Sequence, residues 1–322
     1  MRRWLNALFF AVLTTTVHAQ TPGAPARVGF IAYSDAQAVA PFLEAFLKGM
    51  SEAGYVEGRN LQIVARYADE HREHIEPLVR ELLGEKLDLI VSVGPATWEA
   101  IRVAGSTPVI FGFSGDPVVA GWASSLATPT KNATGVTFMS VDLNGKRIEL
   151  VHQALPAMRR LAVIANPLHP GESLEGDECR AAAARLGLSL SYLFARNTDE
   201  LDVALKTVAA EQPDALIALP DALTLAHRQR IIEFAAARRI PVISGWARFA
   251  ESGALLTYGP NLPNSWGRLA YFADRILRGA KPQSLPIEQP SRFELVVNLG
   301  TANRLGIELP QSLLARADQV IE

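Results

Sequence analysis

The chain is poor in the features that usually announce a reaction or staple a fold. Of 322 residues only Cys179 is a cysteine, so no intrachain disulfide can form. After the N-terminal segment no stretch reaches 18 uninterrupted apolar residues, which excludes a later membrane-spanning helix. There is no long basic run and the formal charge is −2, so no nucleic-acid partner is expected. Catalytic signatures are missing in turn. No G-x-G-x-x-G follows a strand, and neither a Walker A sequence nor H-E-x-x-H occurs. Gly112-Phe-Ser-Gly-Asp116 lacks the spacing of a G-x-S-x-G elbow.

Metal-ligating residues are equally sparse. The nearest approach is Asp69-Glu-His-Arg-Glu-His74, where His71 and His74 at i, i+3 share a helix face without a third ligand to hold an ion. It reads as a solvated, acid-rich helix start. His152, His169 and His227 stand singly and read as ordinary surface or core residues. Cys179, in the helical pattern Glu178-Cys-Arg-Ala-Ala-Ala-Ala184, reads as a buried inert thiol. No metal and no cofactor is expected.

What is present begins at the N-terminus. Arg2 and Arg3 precede an apolar run from Trp4 to Leu13, and Val17 and Ala19 place small side chains before a cleavage point after Ala19. Residues 1–19 therefore read as a secretory signal peptide. The mature chain starts at Gln20, with its charge moved from −2 to −4 by the loss of the two arginines. No cysteine follows the run, which excludes lipid attachment there. Beyond a Pro- and Gly-containing linker to Ala26, apolar β-type runs alternate with helical patterns. The strands are expected at 28–33, 61–67, 87–93, 109–113 and 134–138, and the pattern then restarts at 161–165, 188–194, 215–219, 242–244, 255–258 and 294–298. Helices are expected between them, including 118–126, 223–238, 266–277 and 313–320. Such alternation argues for an α/β fold of parallel sheets flanked by helices, and the restart argues for two similar lobes rather than one very wide doubly wound sheet.

In parallel sheets, ligands bind outside the carboxyl ends of the strands. The polar residues at those ends are Ser34 and Asp35, Thr97, Ser114 and Asp116 in the first half, and Asn166, Asp221, Tyr258 and Asn261 in the second. They are the candidate ligand-binding residues, although the same residue types also serve turns and helix caps. Ser34 and Thr97 stand where helices begin and suit a carboxylate. Asp116 and Asp221 are candidate partners for an ammonium group. Tyr33, Trp98, Phe113, Trp122, Trp246, Tyr258 and Trp266 gather near the same loops, where some can stack on a ring-bearing ligand.

The C-terminal run Leu285-Pro-Ile-Glu-Gln-Pro-Ser-Arg-Phe-Glu-Leu-Val-Val-Asn298, with Ala302-Asn-Arg-Leu-Gly-Ile-Glu-Leu-Pro310, carries a resemblance. So do Gly54-Tyr-Val-Glu-Gly-Arg-Asn-Leu61, Asp116-Pro-Val118, Asn132-Ala-Thr-Gly135 and Gly279-Ala-Lys-Pro282. Together they resemble the substrate-binding proteins of ABC transporters, in the family that includes tryptophan- and tyrosine-binding members. Many of those carry Gly-Thr-Pro-Ala where this chain has Val93-Gly-Pro-Ala96, so the nearest hydroxyl here is Thr97. The resemblance implies a type I periplasmic-binding-protein fold, its two Rossmann-like lobes joined by three crossings. The lobes would comprise residues 27–140 with about 262–284, and 141–261 with 285–322. It implies a non-catalytic, monomeric periplasmic receptor that captures a small molecule, an amino acid or other small carboxylate, and delivers it to an ABC permease in the inner membrane. A sensing receptor without a transport role shares the same fold. An exported hydrolase would have to rely on Ser114 and Asp116, with no histidine placed beside them.

Overall fold

The computed structural model describes residues 24–139 and 141–322, so the signal segment lies outside the described residues. The chain opens with β1 (Ala26–Ala32), α1 (Ala36–Glu52), β2 (Leu61–Tyr67), α2 (Arg72–Gly84), β3 (Leu89–Val93), α3 (Ala96–Val103) and β4 (Val109–Phe113). A small antiparallel hairpin of β5 (Ala123–Ser125) and β6 (Thr128–Pro129) precedes β7 (Ala133–Thr137). The five long strands form one parallel sheet in the order β2-β1-β3-β4-β7.

The second lobe follows with α4 (Asp142–Ala154), β8 (Arg160–Ala165), α5 (Glu172–Arg185), β9 (Ser189–Phe194), α6 (Thr198–Glu211) and β10 (Ala215–Ala218). Next come α7 (Ala222–Ala226), α8 (Arg228–Ala236), β11 (Val242–Ser244), α9 (Ala247–Glu251) and β12 (Leu256–Pro260). The chain then returns to the first lobe for α10 (Leu262–Leu277). It ends in the second with β13 (Phe293–Asn298), α11 (Leu299–Leu305), α12 (Gln311–Leu314) and β14 (Gln319–Ile321). The second sheet has the order β14-β13-β12-β11-β10-β8-β9.

Period-two alternation along the central strands feeds apolar clusters on both faces of each sheet. Phe30, Val91 and Ile110 point to the side covered by α1 and α10, while Ile31, Ile90 and Phe111 point to the side of α2 and α3. Val163, Ile217 and Ile243 face α4 and α5, and Ile164, Leu216 and Val242 face α6 and α8. Each such fully buried side chain contributes roughly 1.5–3 kcal/mol. The α1 helix shows how local sequence sets this up: Asp35 caps it by accepting from Ala38 N at 2.8 Å, and Val39, Phe42, Phe46 and Met50 recur on its buried stripe. α10 crosses it so closely that a Cβ at Gly49 would stand 2.7 Å from the Gly267 carbonyl oxygen.

Three crossings join the lobes, after β7, after β12 and before β13. Residues 285–288 still lie beside the first sheet, where Glu288 N donates to Gly135 O and Thr137 N to Glu288 O, both at 2.9 Å.

Several elements differ from their sequence-based expectation, each for a physical reason. The helix expected at 118–126 is one turn, started by Asp116, ended by Gly121 at φ +74° and followed by the hairpin. The helix expected at 223–238 breaks into α7 and α8 at His227, whose Nε2 lies 3.0 Å from Thr198 Oγ1. The helix expected at 313–320 is a single turn. There the Asp318 carboxylate accepts from Leu295 N at 2.8 Å and ties the tail into the sheet as β14. The second sheet is not wholly parallel, because β13 arrives from the other lobe and runs antiparallel to β12.

Candidate functional site

The carboxyl ends of both sheets face one another across a cleft. Its wall on the first lobe is built from Tyr33 and Ser34 after β1, Val39 and Phe42 in the first turns of α1, Gly94 and Pro95 before α3, and Ser114 after β4. Phe138 and Trp266 complete it. The opposite wall is α7, with Ala222, Leu225 and Ala226, together with Arg228, Trp246 and Arg248. The pocket encloses about 80 Å³. A water requires about 10–15 Å³ on that measure, so the slot suits a small solute and no polymer.

Aromatic rings dominate this slot. Trp266 is 1% exposed and stacks on Phe42 with centroids 5.1 Å apart and planes at 20°, and Phe138 leans on its other side at 6.1 Å. Gly112 makes room for the indole, since a Cβ there would meet Trp266 ring carbons at 2.7 Å. Trp246 belongs to the second lobe by sequence, yet packs into the apolar cluster of the first. Tyr33 stays a neutral phenol, its pKa raised by burial and then by the charges of Glu70 and Asp221.

The lobes touch directly at the cleft edge. Ser114 Oγ lies 3.0 Å from His169 Nε2, Asp116 N donates to Pro170 O at 2.9 Å, and Arg248 Nη1 donates to Ala38 O at 3.1 Å. His169 Nδ1 stands 3.2 Å from Glu175 Oε2, within ion-pair range but off the line of a good hydrogen bond. Burial presses His169 toward its neutral form, but Glu175, with Asp221 and Glu172 behind it, more than offsets this and leaves the pKa above the ordinary imidazole value. With Nε2 turned to the serine oxygen across the gap, His169 bridges one lobe to the other. The row Ser114, His169, Glu175 is thus an interlobe latch. Deeper in the second lobe, buried Arg147 donates from Nε to Tyr258 O at 2.8 Å. Burial lowers its pKa to about 10, while the Glu175 charge opposes that.

The expected site residues divide into three groups. Ser34 and Ser114 line the slot. Asn166 and Asp221 line an adjoining hollow of about 500 Å³ that shares Ser114 and Pro95 with it. Asn166 Nδ2 donates to Asp221 Oδ1 at 3.2 Å, and that oxygen also accepts from Leu223 N at 2.8 Å as the cap of α7. The remaining five serve the framework. Asp35 caps α1. Thr97 is fully buried against Ser92 Oγ at 3.0 Å. Asp116 Oδ1 accepts from Val118 N at 2.7 Å. Tyr258 packs beside Phe293, and Asn261 caps α10 through Asn264 N at 2.9 Å.

Phe42, Phe138, Arg228 and Arg248 line the slot without having been singled out as ligand residues. His169, read from the sequence as an ordinary residue with no histidine expected beside Ser114, instead stands 3.0 Å from that serine because the lobes dock there. Phe42 sits on the core stripe of its helix, and only the packing of one lobe on the other brings the two arginines to the slot. Trp122 lies instead in the first lobe's core, against Phe113 at 4.8 Å and Trp98 at 5.6 Å. Cys179 is buried, its thiol pushed up to about 12 by desolvation. His71, Glu73 and His74 stand exposed together at the start of α2. A further hollow of about 520 Å³ lies outside the cleft against α1, α10 and residues 288–291, where Arg268 and Glu288 satisfy one another at 2.8 Å.

Two sheets of mainly parallel strands, three crossings and a cleft at the strand ends define a type I periplasmic-binding-protein fold. The family model for ABC transporter substrate binding proteins matches residues 28–321, and the chain belongs to that family, whose members bind solutes rather than transform them. A tyrosine-binding protein of Clostridioides difficile (strain R20291) is 23% identical over 265 residues, 82% of this chain and 76% of that protein. A conserved domain protein from Vibrio cholerae superposes with a TM-score of 0.85 at 26% identity, covering 92% of this chain and 99% of the other. The ABC domain solved with L-Trp from Streptococcus pneumonia also has a TM-score of 0.85, at 21% identity, covering 92% of this chain and all of that one (100%).

Proposed function

We propose that this protein is the exported solute-binding component of an ABC-type import system. After removal of residues 1–19 it works in the periplasm as a soluble monomer. It captures a small ring-bearing carboxylate between its lobes and presents the closed form to an inner-membrane permease. The observation that carries this reading is the interlobe slot itself: both lobes contribute walls, Phe42, Trp246 and Trp266 supply ring surfaces, and serines and arginines supply polar ends. Hinge closure about the crossings is the established motion of such folds. The relatives support the reading, since one is described as tyrosine-binding and another was solved with L-Trp, both ring-bearing acids. Ser34 and Ser114 are the proposed polar contacts within the slot, with Asn166 and Asp221 at its mouth. The test is a thermal-shift screen of residues 20–322 against a panel of small metabolites. A true ligand at a hundredfold excess over its dissociation constant stabilises by about 2.7 kcal/mol. A panel that shifts nothing, together with cleft-dependent hydrolysis of any member, would overturn the proposal.

A further inference from the structure

The charges around the slot are one-sided. Among the described residues lining it, Arg228 and Arg248 carry the only charges, and no carboxylate is present. Neither guanidinium forms an ion pair among the described residues. Arg248 spends one donor on Ala38 O, and Arg228 spends two, on Ser252 Oγ at 3.2 Å and Leu225 O at 3.0 Å. Their other N–H groups are free to meet a ligand. The two cations also act on one another: the Arg228 pKa is lowered first by burial and then by the Arg248 charge, which exposed Glu251 only partly relieves. An anion placed between ring walls and this pair gains charge-assisted, fork-shaped hydrogen bonds and removes their repulsion.

An ammonium in the same slot has no such welcome. It would be stripped of water among aromatic rings, with two cations and no carboxylate among the lining residues. At the strand ends, Asp35 is committed to capping α1, and Asp221 opens onto the adjoining hollow and is 6% exposed. Its Oδ1 already accepts from Leu223 N and Asn166 Nδ2. Asp116 lines neither space and is committed to its own turn.

We propose that the slot selects aromatic monocarboxylates that lack an α-ammonium group over the corresponding amino acids, with Arg228 and Arg248 as the specificity-determining residues. This rests on the reading of the slot as the binding site of a small ring-bearing acid. Three pairs differing only in the ammonium test it: 3-phenylpropionate with L-phenylalanine, 3-(4-hydroxyphenyl)propionate with L-tyrosine, and indole-3-propionate with L-tryptophan. The uncharged 3-phenylpropionamide isolates the carboxylate. Titrations follow the fluorescence of Trp246 and Trp266, checked by calorimetry.

In every pair that binds, the acid is expected to bind tenfold or more tightly than its amino acid, and 3-phenylpropionate tenfold more tightly than its amide. Arg248→Gln, which keeps a donor for Ala38 O, should weaken the acid at least tenfold and the amide less than twofold. An amino acid that outbinds its desamino partner, or an Arg248→Gln effect equal on acid and amide, overturns this selectivity while leaving a solute-binding cleft in place. If none of the seven compounds binds but other panel members do, the selectivity again falls alone. If no small solute binds at all, the receptor reading falls with it.

Discussion

Ser114 Oγ of the first lobe meets His169 Nε2 of the second at 3.0 Å, and the contact spans the mouth of the cleft. The two residues are 55 positions apart, in loops that follow strands of separate sheets, so the bond forms only when the lobes are together. Removing the hydroxyl should loosen closure. A typical hydrogen bond contributes about 1 kcal/mol net, so Ser114→Ala is expected to weaken ligand binding roughly fivefold. Calorimetry on the wild type and variant with the same ligand measures this, and an unchanged affinity would show that the latch is idle.

The same latch should respond to pH. His169 has its folded-state pKa raised, so its stabilising effect is complete below the unfolded imidazole value of about 6.5 and is lost as pH rises through the folded value. Thermal unfolding between pH 5.5 and 8.5 should therefore show stability falling toward the alkaline end. The fall should be shallower in His169→Gln, whose side chain keeps a neutral donor for Ser114. Parallel pH profiles for the two proteins would remove His169 from the account. The two proteins differ only at this side chain, so the difference between profiles isolates the latch.

Gly112 underlies the ring wall. A methyl at that position would overlap Trp266 ring carbons at 2.7 Å. Gly112→Ala should destabilise the first lobe by about 1–3 kcal/mol, the usual cost of overpacking, and displace the indole from Phe42. Urea unfolding gives the stability change, and a blunted ligand-induced tryptophan signal would report the displaced ring. A variant as stable as the wild type, with an intact signal, would mean that the wall gives way without consequence.

Asp221 separates capping from binding. Alanine there removes an N-cap and the partner of Asn166, and should cost about 1 kcal/mol in stability. Asparagine caps equally well, so Asp221→Asn should retain stability and, if the ligand brings no ammonium, bind within about twofold of the wild type. A tenfold or larger loss on Asp221→Asn would assign the carboxylate itself to the ligand.

Much of this fold is legible in the amino-acid order, because buried parallel strands announce themselves as apolar runs and their helices as three- and four-residue spacing. The strands at 61–67, 109–113 and 242–244 carry their exact bounds in those patterns. Where an expectation failed, a single residue outweighed the pattern: the Asp318 carboxylate draws the last residues into a sheet, and the left-handed backbone at Gly121 cuts a helix to one turn. The site is less legible. Polar residues at strand ends are needed equally by helix caps, and Asp35, Asp116 and Asn261 went to caps and turns. Arg228, Arg248 and His169 gain their positions only from the docking of one lobe on the other, a relation between residues far apart in the chain that no local spacing records.

The central claim is that a small solute is held between the lobes, and calorimetric titration with paired variants tests it most directly. The ligand from the screen should bind one to a chain. Its affinity should fall tenfold or more in Trp246→Ala, which strips a cleft wall, and stay within twofold in Lys48→Ala, which alters only the outer hollow. Binding that survives the cleft substitution and fails with the outer one would contradict the account.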